Sequence, residues 1–391
     1  MQNSPPKKMV SINTTQNMVK NRVEIANKTR SSNLELYRIV CMIMIVAHHY
    51  VVNSGFTSEG GALTIDFSSR NSIFLSLFGA WGKTGINCFL MITGYFMCTS
   101  QITMRKFIKL LGQVYLYRWL LYILLLWGGY ETLSIRRVAM ILMPTWGFTD
   151  NFTGCFIFFW LTIPFINILV HNMTKRQHEI LTMLSLCIYT FLGSIPTFSV
   201  TFNYISWFSI IYLIASYIRI YPHPMFDRKR LWGWLTLLNI TLAVVSIVIA
   251  RILLRAQLSS AYFFISDSNK ILSVLIAVCS FIWFKNINIQ YSKIINSFGA
   301  GTFGVLLIHA NSDAMRNWLW KKTIDVVNHY TLPLGYLAIY SIGVVLAVFI
   351  ICNIIDQRRI VTLEKMFLNC YDHWFAEKVN KLVDKVINSN S

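Results

Sequence analysis

Glu35, Arg38 and His49 fall in one otherwise apolar run, residues 33–50, and their types and spacing mark a candidate functional stripe. Eleven residues at about 100° each return to within roughly 20° of the start, so Arg38 and His49 share a helix face. At a rise of about 1.5 Å per residue they stand about 16 Å apart along the axis. Ionisable groups inside a bilayer are costly and usually face a cavity or pathway. A neutral imidazole near pH 7 can take a proton from a hydroxyl, which makes His49 the leading candidate for a general base. Arg38 keeps its charge and presents a fork suited to phosphate or carbonyl oxygens. Such a pair fits a site that grips an anionic donor at one end and works on its far end. The plainer alternatives are a histidine satisfied near the outer interface, and an arginine snorkelling to headgroups at the inner boundary. Glu35, one turn below Arg38, pairs with it and holds the guanidinium in place, a role that is equally compatible with pure structure. His48 points about 100° away and reads as a supporting or lipid-interface residue.

Further candidates lie downstream. In Met104-Arg105-Lys106-Phe107-Ile108-Lys109, Lys106 and Lys109 share a face at the predicted cytoplasmic boundary. With Arg105 they could bind a phosphorylated cytosolic cofactor, or serve as ordinary positive-inside anchors. Lys83 and Arg118 are cations within apolar segments and need partners. Asn87 stands between Gly85 and Gly94, which implies close helix packing with a polar group facing protein. His309 closes the glycine-rich stretch 297–309 as another buried imidazole. Each of these four is more often a satisfied structural group than a catalytic one. No Gly-x-Ser-x-Gly elbow, phosphate loop, Asp-rich sugar-nucleotide motif or metal-spaced histidine cluster is present. The pattern argues against a hydrolase, an ATPase and a nucleotide-sugar transferase, and no metal is expected.

The elements that must position these residues follow from composition. The chain has 391 residues, 55% hydrophobic, 15% aromatic and only 13% charged, with a mean hydropathy of +0.52. Soluble proteins of this length carry about 25% charge. An all-α, polytopic membrane helix bundle is predicted, with no appended soluble catalytic domain. Ten spans centre on residues 34–52, 73–98, 107–129, 152–170, 179–195, 203–221, 231–250, 270–285, 297–311 and 333–355. Gly299, Gly301 and Gly304 would let a neighbouring helix or ligand approach closely. The net charge of +19 lacks the basic stripe interleaved with exposed aromatics that nucleic-acid binding needs, so no nucleic-acid partner is expected. Loops explain it better: with ten spans and the N-terminus inside, 23 cations fall in inner segments and 9 in outer ones. The positive-inside rule then places both termini in the cytoplasm.

Residues 1–33 read as a basic cytoplasmic tail without a cleavable signal peptide, since they lack an apolar core. Residues 34–356 form the membrane domain. Residues 357–391 form a second cytoplasmic tail, in which Val379, Leu382, Val383 and Val386 recur at helical spacing and suit the inner membrane surface. The eight cysteines sit mostly inside apolar runs without paired spacing, as buried small residues do.

Four stretches together resemble the acyltransferase family 3 integral membrane proteins, which O-acylate surface polysaccharides. They are Glu35-x-x-Arg38 followed by ten residues and His49; residues 82–87 through 93–96; residues 159–167; and residues 297–309 ending in His309. The resemblance covers residues 34 to about 310, and its first-helix pair is the most specific part. The family carries two arginines at i and i+3 opening its third helix, associated with acyl-CoA. Here those positions hold Lys106 and Lys109, which keep the charge and lose the bidentate fork. The resemblance implies a cytosolic acetyl-CoA donor and a glycan hydroxyl acceptor at the outer face. Lys106, Lys109 and Arg38 would hold or orient the donor, whose pantetheine arm would reach toward His49. His49 would deprotonate the sugar hydroxyl or relay the acetyl group. Some relatives carry an extracytoplasmic hydrolase-like domain; without one, this chain is expected to act alone or with a partner protein of glycan assembly.

The expected function is therefore O-acetylation of an extracytoplasmic polysaccharide (capsule, O-antigen or exopolysaccharide) in a bacterial cytoplasmic membrane. Two rivals remain open. A transporter or flippase of a lipid-linked glycan would use His49 and Arg38 to bind substrate, but it should show paired broken helices in two matching halves. A glycan polymerase would present a large outer loop, whereas the longest here runs to about twenty residues.

Overall fold

The computed structural model describes residues 31–143, 145 and 152–379. The chain forms α1 (Ser32–Val52), α2 (Ala62–Ile65), α3 (Arg70–Phe78), α4 (Gly82–Met97), α5 (Met104–Trp127) and α6 (Ile135–Leu142). It continues through α7 (Phe152–Asn172), α8 (Lys175–Leu186), α9 (Tyr204–Ile220), α10 (Lys229–Ile252), α11 (Leu258–Ala261) and α12 (Ile271–Lys285). The last elements are α13 (Lys293–Ala300), α14 (Thr302–His309), α15 (Asp313–Arg316), α16 (Leu334–Arg359) and α17 (Lys365–Trp374). No strand occurs among the described residues. Hydrocarbon offers backbone N–H and C=O groups no water, so an apolar chain satisfies them within helices. The molecule is an all-α polytopic helix bundle.

Helix occupies each of the ten predicted segments, yet fewer meet the length and apolarity of a full crossing. Six helical stretches do, and a seventh is counted if α13–α14 and the segment 313–329, bent by 95° to each other, form one broken span. The shortfall has local causes. α9 and α12 have 17 and 15 residues, below the roughly 20 that a 30 Å hydrocarbon core requires. α8 opens on Lys175, Arg176, His178 and Glu179 and passes into a π-helical turn at Cys187–Phe191. The basic residues 1–30 and the C-terminal stripe at Leu382, Val383 and Val386 lie outside the described residues. The described start of the second tail does not lie apart from the bundle. α16 runs on through a π-helical turn at Ile360–Glu364 into α17, which packs on the start of α5.

α1 is the hub. It packs against α4, α12, α13, α14 and α16. Its Leu34, Tyr37 and Cys41 belong to one apolar cluster with α4, α7, α9 and α12. Its Met42, Ile45, Val46 and Tyr50 belong to a second with α5, α10, α14 and α16. Gly299 and Gly304 make the close approaches expected of them: a Cβ at Gly299 would stand 2.8 Å from Glu35 Cβ, and one at Gly304 would stand 2.6 Å from Asp356 Cβ. Phe165 and Ile168 on α7, Leu237 and Leu238 on α10, and Ile339 and Ile351 on α16 are exposed. Such faces suit lipid contact.

At the end where α1 finishes, polar bonds tie distant loops together. Arg251, fully buried, donates to Ala256 O, Leu63 O, Asp66 O and Ser72 Oγ at 2.6–3.0 Å. Tyr330 donates to Asp66 Oδ2 at 2.5 Å, and Asn71 Nδ2 donates to Tyr330 O and Leu332 O at 2.7 and 2.8 Å. Burial works to raise the Asp66 carboxyl, but hydrogen bonds from Ser69 and Tyr330 outweigh it and hold the group below the ordinary carboxylate range.

Two stability outcomes follow. Arg251→Met strands the Leu63 and Ala256 carbonyls, while Asp66 O and Ser72 Oγ keep each other, and should cost roughly 3 kcal/mol, read as a lowered thermal unfolding temperature in detergent. Asp66→Asn should also lower that temperature at pH 7. A carboxylate with a depressed folded pKa stabilises above its unfolded value and loses that contribution as pH falls through the folded one. The gap between wild type and Asp66→Asn should therefore narrow as pH falls below the ordinary aspartate value of about 3.9.

Candidate functional site

On α1, Glu35, Arg38, Met42, Ile45 and His49 are spaced by three, four, three and four residues, which keeps them on one face. Met42, Ile45 and His49 line a cavity of about 80 Å³, closed from other helices by Phe89, Phe303 and Leu306. Arg38 bounds the stripe at the other end. Its guanidinium carbon lies 5.9 Å from the centre of the Phe89 ring, and its Nη1 lies 4.0 Å from Glu35 Oε1. A small apolar cavity thus lies beside α1 with the His49 imidazole in its wall, on the same helix face as Arg38.

His49 does not stand alone. Its Nδ1 is 2.9 Å from His309 Nε2, and His309 Nδ1 is 2.6 Å from Val305 O. A carbonyl oxygen only accepts, so His309 carries its proton on Nδ1 and offers a lone pair at Nε2. His49 must then donate from Nδ1, which leaves its own Nε2 with a lone pair in the neutral pair. That is the arrangement of an oriented general base: one ring nitrogen fixes the tautomer and the other is free to take a proton. His309, the last residue of α14, is fully buried, with the Trp320 ring edge-on at 6.5 Å. Trp320 in turn packs edge-on to Tyr50 at 5.9 Å.

The other sequence candidates take different places. His48 donates from Nδ1 to Gly79 O at 2.6 Å, locking the α3–α4 junction rather than joining the pair. Lys83 bonds the Tyr204 hydroxyl and lies 3.3 Å from Asp267 Oδ1. Asn87 donates to Ser268 O at 2.7 Å and accepts from Trp207 Nε1 at 2.9 Å. Lys83 and Asn87 therefore brace α4 against α9 and the loop before α12. Arg118 donates to Met140 O at 2.8 Å and lines a separate cavity of about 180 Å³.

Arg105, Lys106 and Lys109 do not converge on one point. Lys106 Nζ donates to Gln101 O at 2.5 Å. Arg105 forms a two-pronged pair with Asp372, and Lys109 lies 2.6 Å from Glu364 Oε1. Both acids come from the segment following α16, which the sequence assigns to an amphipathic cytoplasmic tail.

That segment also completes a polar cluster missed in the sequence. Asp356, fully buried, accepts from Tyr117 at 2.8 Å, Gln113 at 3.2 Å and Arg359 at 2.7 Å. Arg359 also bonds Glu364 at 2.5 Å. The available signal was Asp356-x-x-Arg359, the same i, i+3 acid–arginine spacing as Glu35-x-x-Arg38. No group of three or more metal-ligating side chains occurs among the described residues.

The family model described as an acyltransferase domain matches residues 31–352, most of the chain and the whole of the histidine and arginine geometry above. No curated protein and no solved structure matches it.

The Asp356 cluster makes a prediction of its own. Removing one partner of a buried ion pair costs about 3–5 kcal/mol, because the other charge stays buried and alone. Asp356→Ala should therefore unfold at a clearly lower temperature, and adding Arg359→Met should restore part of the loss. Additive losses in the double variant would show that the two side chains do not act as a pair.

Proposed function

The chain belongs to the acyltransferase family whose model spans residues 31–352, and from that membership we propose that it is a membrane O-acetyltransferase. In this reading it moves an acetyl group from cytosolic acetyl-CoA to a hydroxyl of an extracytoplasmic polysaccharide. The observation that carries the proposal is the hydrogen-bond chain from Val305 O through His309 to His49, which leaves His49 Nε2 as a base. The base borders an apolar cavity whose α1 stripe leads back to Arg38.

The chemistry balances with these groups. The sugar hydroxyl gives its proton to His49 Nε2 as its oxygen attacks the thioester carbonyl. The tetrahedral intermediate collapses, the C–S bond breaks, and the proton passes from His49 to the departing thiolate. His309 holds the ring so that Nε2 faces the work, and it shares the positive charge that develops on His49. Arg38, fixed by Glu35, orients the donor where its arm enters the bundle. A donor arm follows the α1 stripe, about 16 Å from Arg38 to His49 at 1.5 Å per residue, and must widen the present cavity as it enters.

Donor phosphates would have to displace two carboxylates. Arg105 and Lys109 now face Asp372 and Glu364, so the phosphates of acetyl-CoA would exchange with these acids at the mouth of the donor route. The excess of cations on the segments assigned to the inside supports a cell-membrane protein with that mouth, and both termini, in the cytoplasm.

The test is the O-acetyl content of surface polysaccharide, by proton NMR, in a deletion strain complemented with wild type or variants at equal membrane abundance. Wild type should restore acetyl signals, and His49→Ala should lower them at least about 100-fold. His309→Ala should lower them less, with a partial return in His309→Gln, whose side-chain oxygen can still accept from His49 Nδ1. If acetylation never changes while the amount of surface glycan falls, the chain transports glycan and makes no bond. For the donor, Arg105→Gln and Lys109→Gln should raise the KM for acetyl-CoA severalfold with kcat nearly unchanged. An unaltered KM would move the donor site away from these residues.

A further inference from the structure

Beyond the histidine pair, at the end of the bundle where α1 finishes, two cavities meet. One, of about 180 Å³, is lined by Arg118, Arg137 and Arg316 together with Asn311 and Asp313. The other, of about 310 Å³, is lined by Asn53, Ser58, Asn317 and Lys321 and shares Asp313 and Arg316 with the first. The two form one polar cleft with Arg316 at its middle. The chain links the cleft to the base on both sides: Asn53 lies one helical turn past His49, and Asn311 lies two residues past His309.

The charges in this cleft do not cancel. Three arginines and Lys321 face it, against Glu131 and Asp313. Arg316 lies 2.5 Å from Asp313 and Arg137 lies 3.6 Å from Glu131, both at pairs open to solvent on the cation's side. Gathering guanidinium groups around one cavity raises a positive potential there and favours an anion between them. A second observation points the same way. Asn53 Nδ2 is buried and has no hydrogen-bond partner among the described residues, and a buried donor left in that state costs free energy unless a ligand oxygen meets it.

We propose that this cleft is the acceptor site and that the acceptor is an acidic saccharide. Its carboxylate or phosphate lies among Arg316, Arg137 and Arg118, its hydroxyls meet Asn53 and Asn317, and the hydroxyl to be acylated faces His49. The proposal rests on the acyltransferase reading and narrows it from any glycan to an anionic one. It also gives the cleft a division of labour. The arginines fix register along the glycan by charge, and the neutral amides on the other side of Arg316 accommodate the next sugar ring.

The deciding experiment is direct binding, measured by calorimetry on the full chain in nanodiscs of phosphatidylcholine. The probes are tetragalacturonate, maltotetraose and glucose 1-phosphate. Tetragalacturonate or glucose 1-phosphate should bind at least tenfold more tightly than maltotetraose, and which of the two binds identifies the anion as carboxylate or phosphate. Arg316→Gln and Arg137→Gln should each weaken that binding about tenfold, the loss of one charge-assisted hydrogen bond, while acetyl-CoA binding stays unchanged. The unchanged donor binding shows that the variants are folded. Equal affinity for maltotetraose and the acidic probes, or acidic binding indifferent to both arginines, overturns the proposal. So does acidic binding that vanishes in nanodiscs containing phosphatidylglycerol, because the occupant is then a lipid headgroup. The two readings fail separately. Acetyl transfer to maltotetraose as fast as to tetragalacturonate removes the acidic acceptor and keeps the enzyme; arginine-dependent binding of an acidic sugar with no acetyl transfer keeps the cleft and removes the enzyme.

Discussion

A charge or polar group taken into an apolar bundle must find a partner on another helix, and the bonds made for that purpose decide how these helices meet. Three such bonds set the architecture. His49 joins α1 to α14 through His309. Lys83 joins α4 to α9 and to the loop before α12 through Tyr204 and Asp267. Asp356 joins α16 to α5 through Tyr117 and Gln113. Apolar contacts supply most of the buried area, but they tolerate rotation and sliding of one helix on another. Hydrogen bonds at fixed atoms do not, and the candidate site sits where the His49–His309 bond meets the stripe of α1.

What could be read in advance follows the same division. Arg38 and His49 share a face because of helix periodicity, which is local and present in the sequence. The glycine approaches were also legible, since a residue with no Cβ beside an apolar run implies a close neighbour. The partner of His49 was not, although His309 stood out as a buried imidazole. The two are 260 positions apart, and nothing in either segment names the other. The same distance hid Glu364 and Asp372 from Lys109 and Arg105, which looked like unopposed cations when read alone. The apolar segments were legible as helices, whereas the break near Gly301 and the 95° bend that follows depend on how α14 and α15 pack. Composition therefore gave ten helical segments, while six or seven meet the requirements of a full crossing.

The two ends of the α1 stripe differ in electrostatic character. At one end Arg38 is matched by Glu35 on the same helix. At the His49 end the cleft holds more cations than acids. Between the two lies an apolar cavity of about 80 Å³, lined in part by Met42, Ile45 and Phe89, a setting that disfavours an ion.

The choice of histidine as the orienting partner follows from the same constraint. A carboxylate beside His49 would be a stronger acceptor, but it would place a negative charge in a buried site where His309 is fully enclosed. The cost of that charge in the resting state would be several kcal/mol unless a cation followed it. A neutral imidazole anchored on Val305 O accepts the same hydrogen bond with no net charge. Under the proposed transfer the site would become charged only while His49 holds a proton, so the expense of burying charge would fall on a short-lived state. Arg38 needs no such device, because it lies at the other end of the stripe with Glu35 beside it and part of its side chain exposed. A permanent ion pair at the boundary and a neutral pair in the interior are thus two answers to one desolvation problem, each placed where its charge can be tolerated.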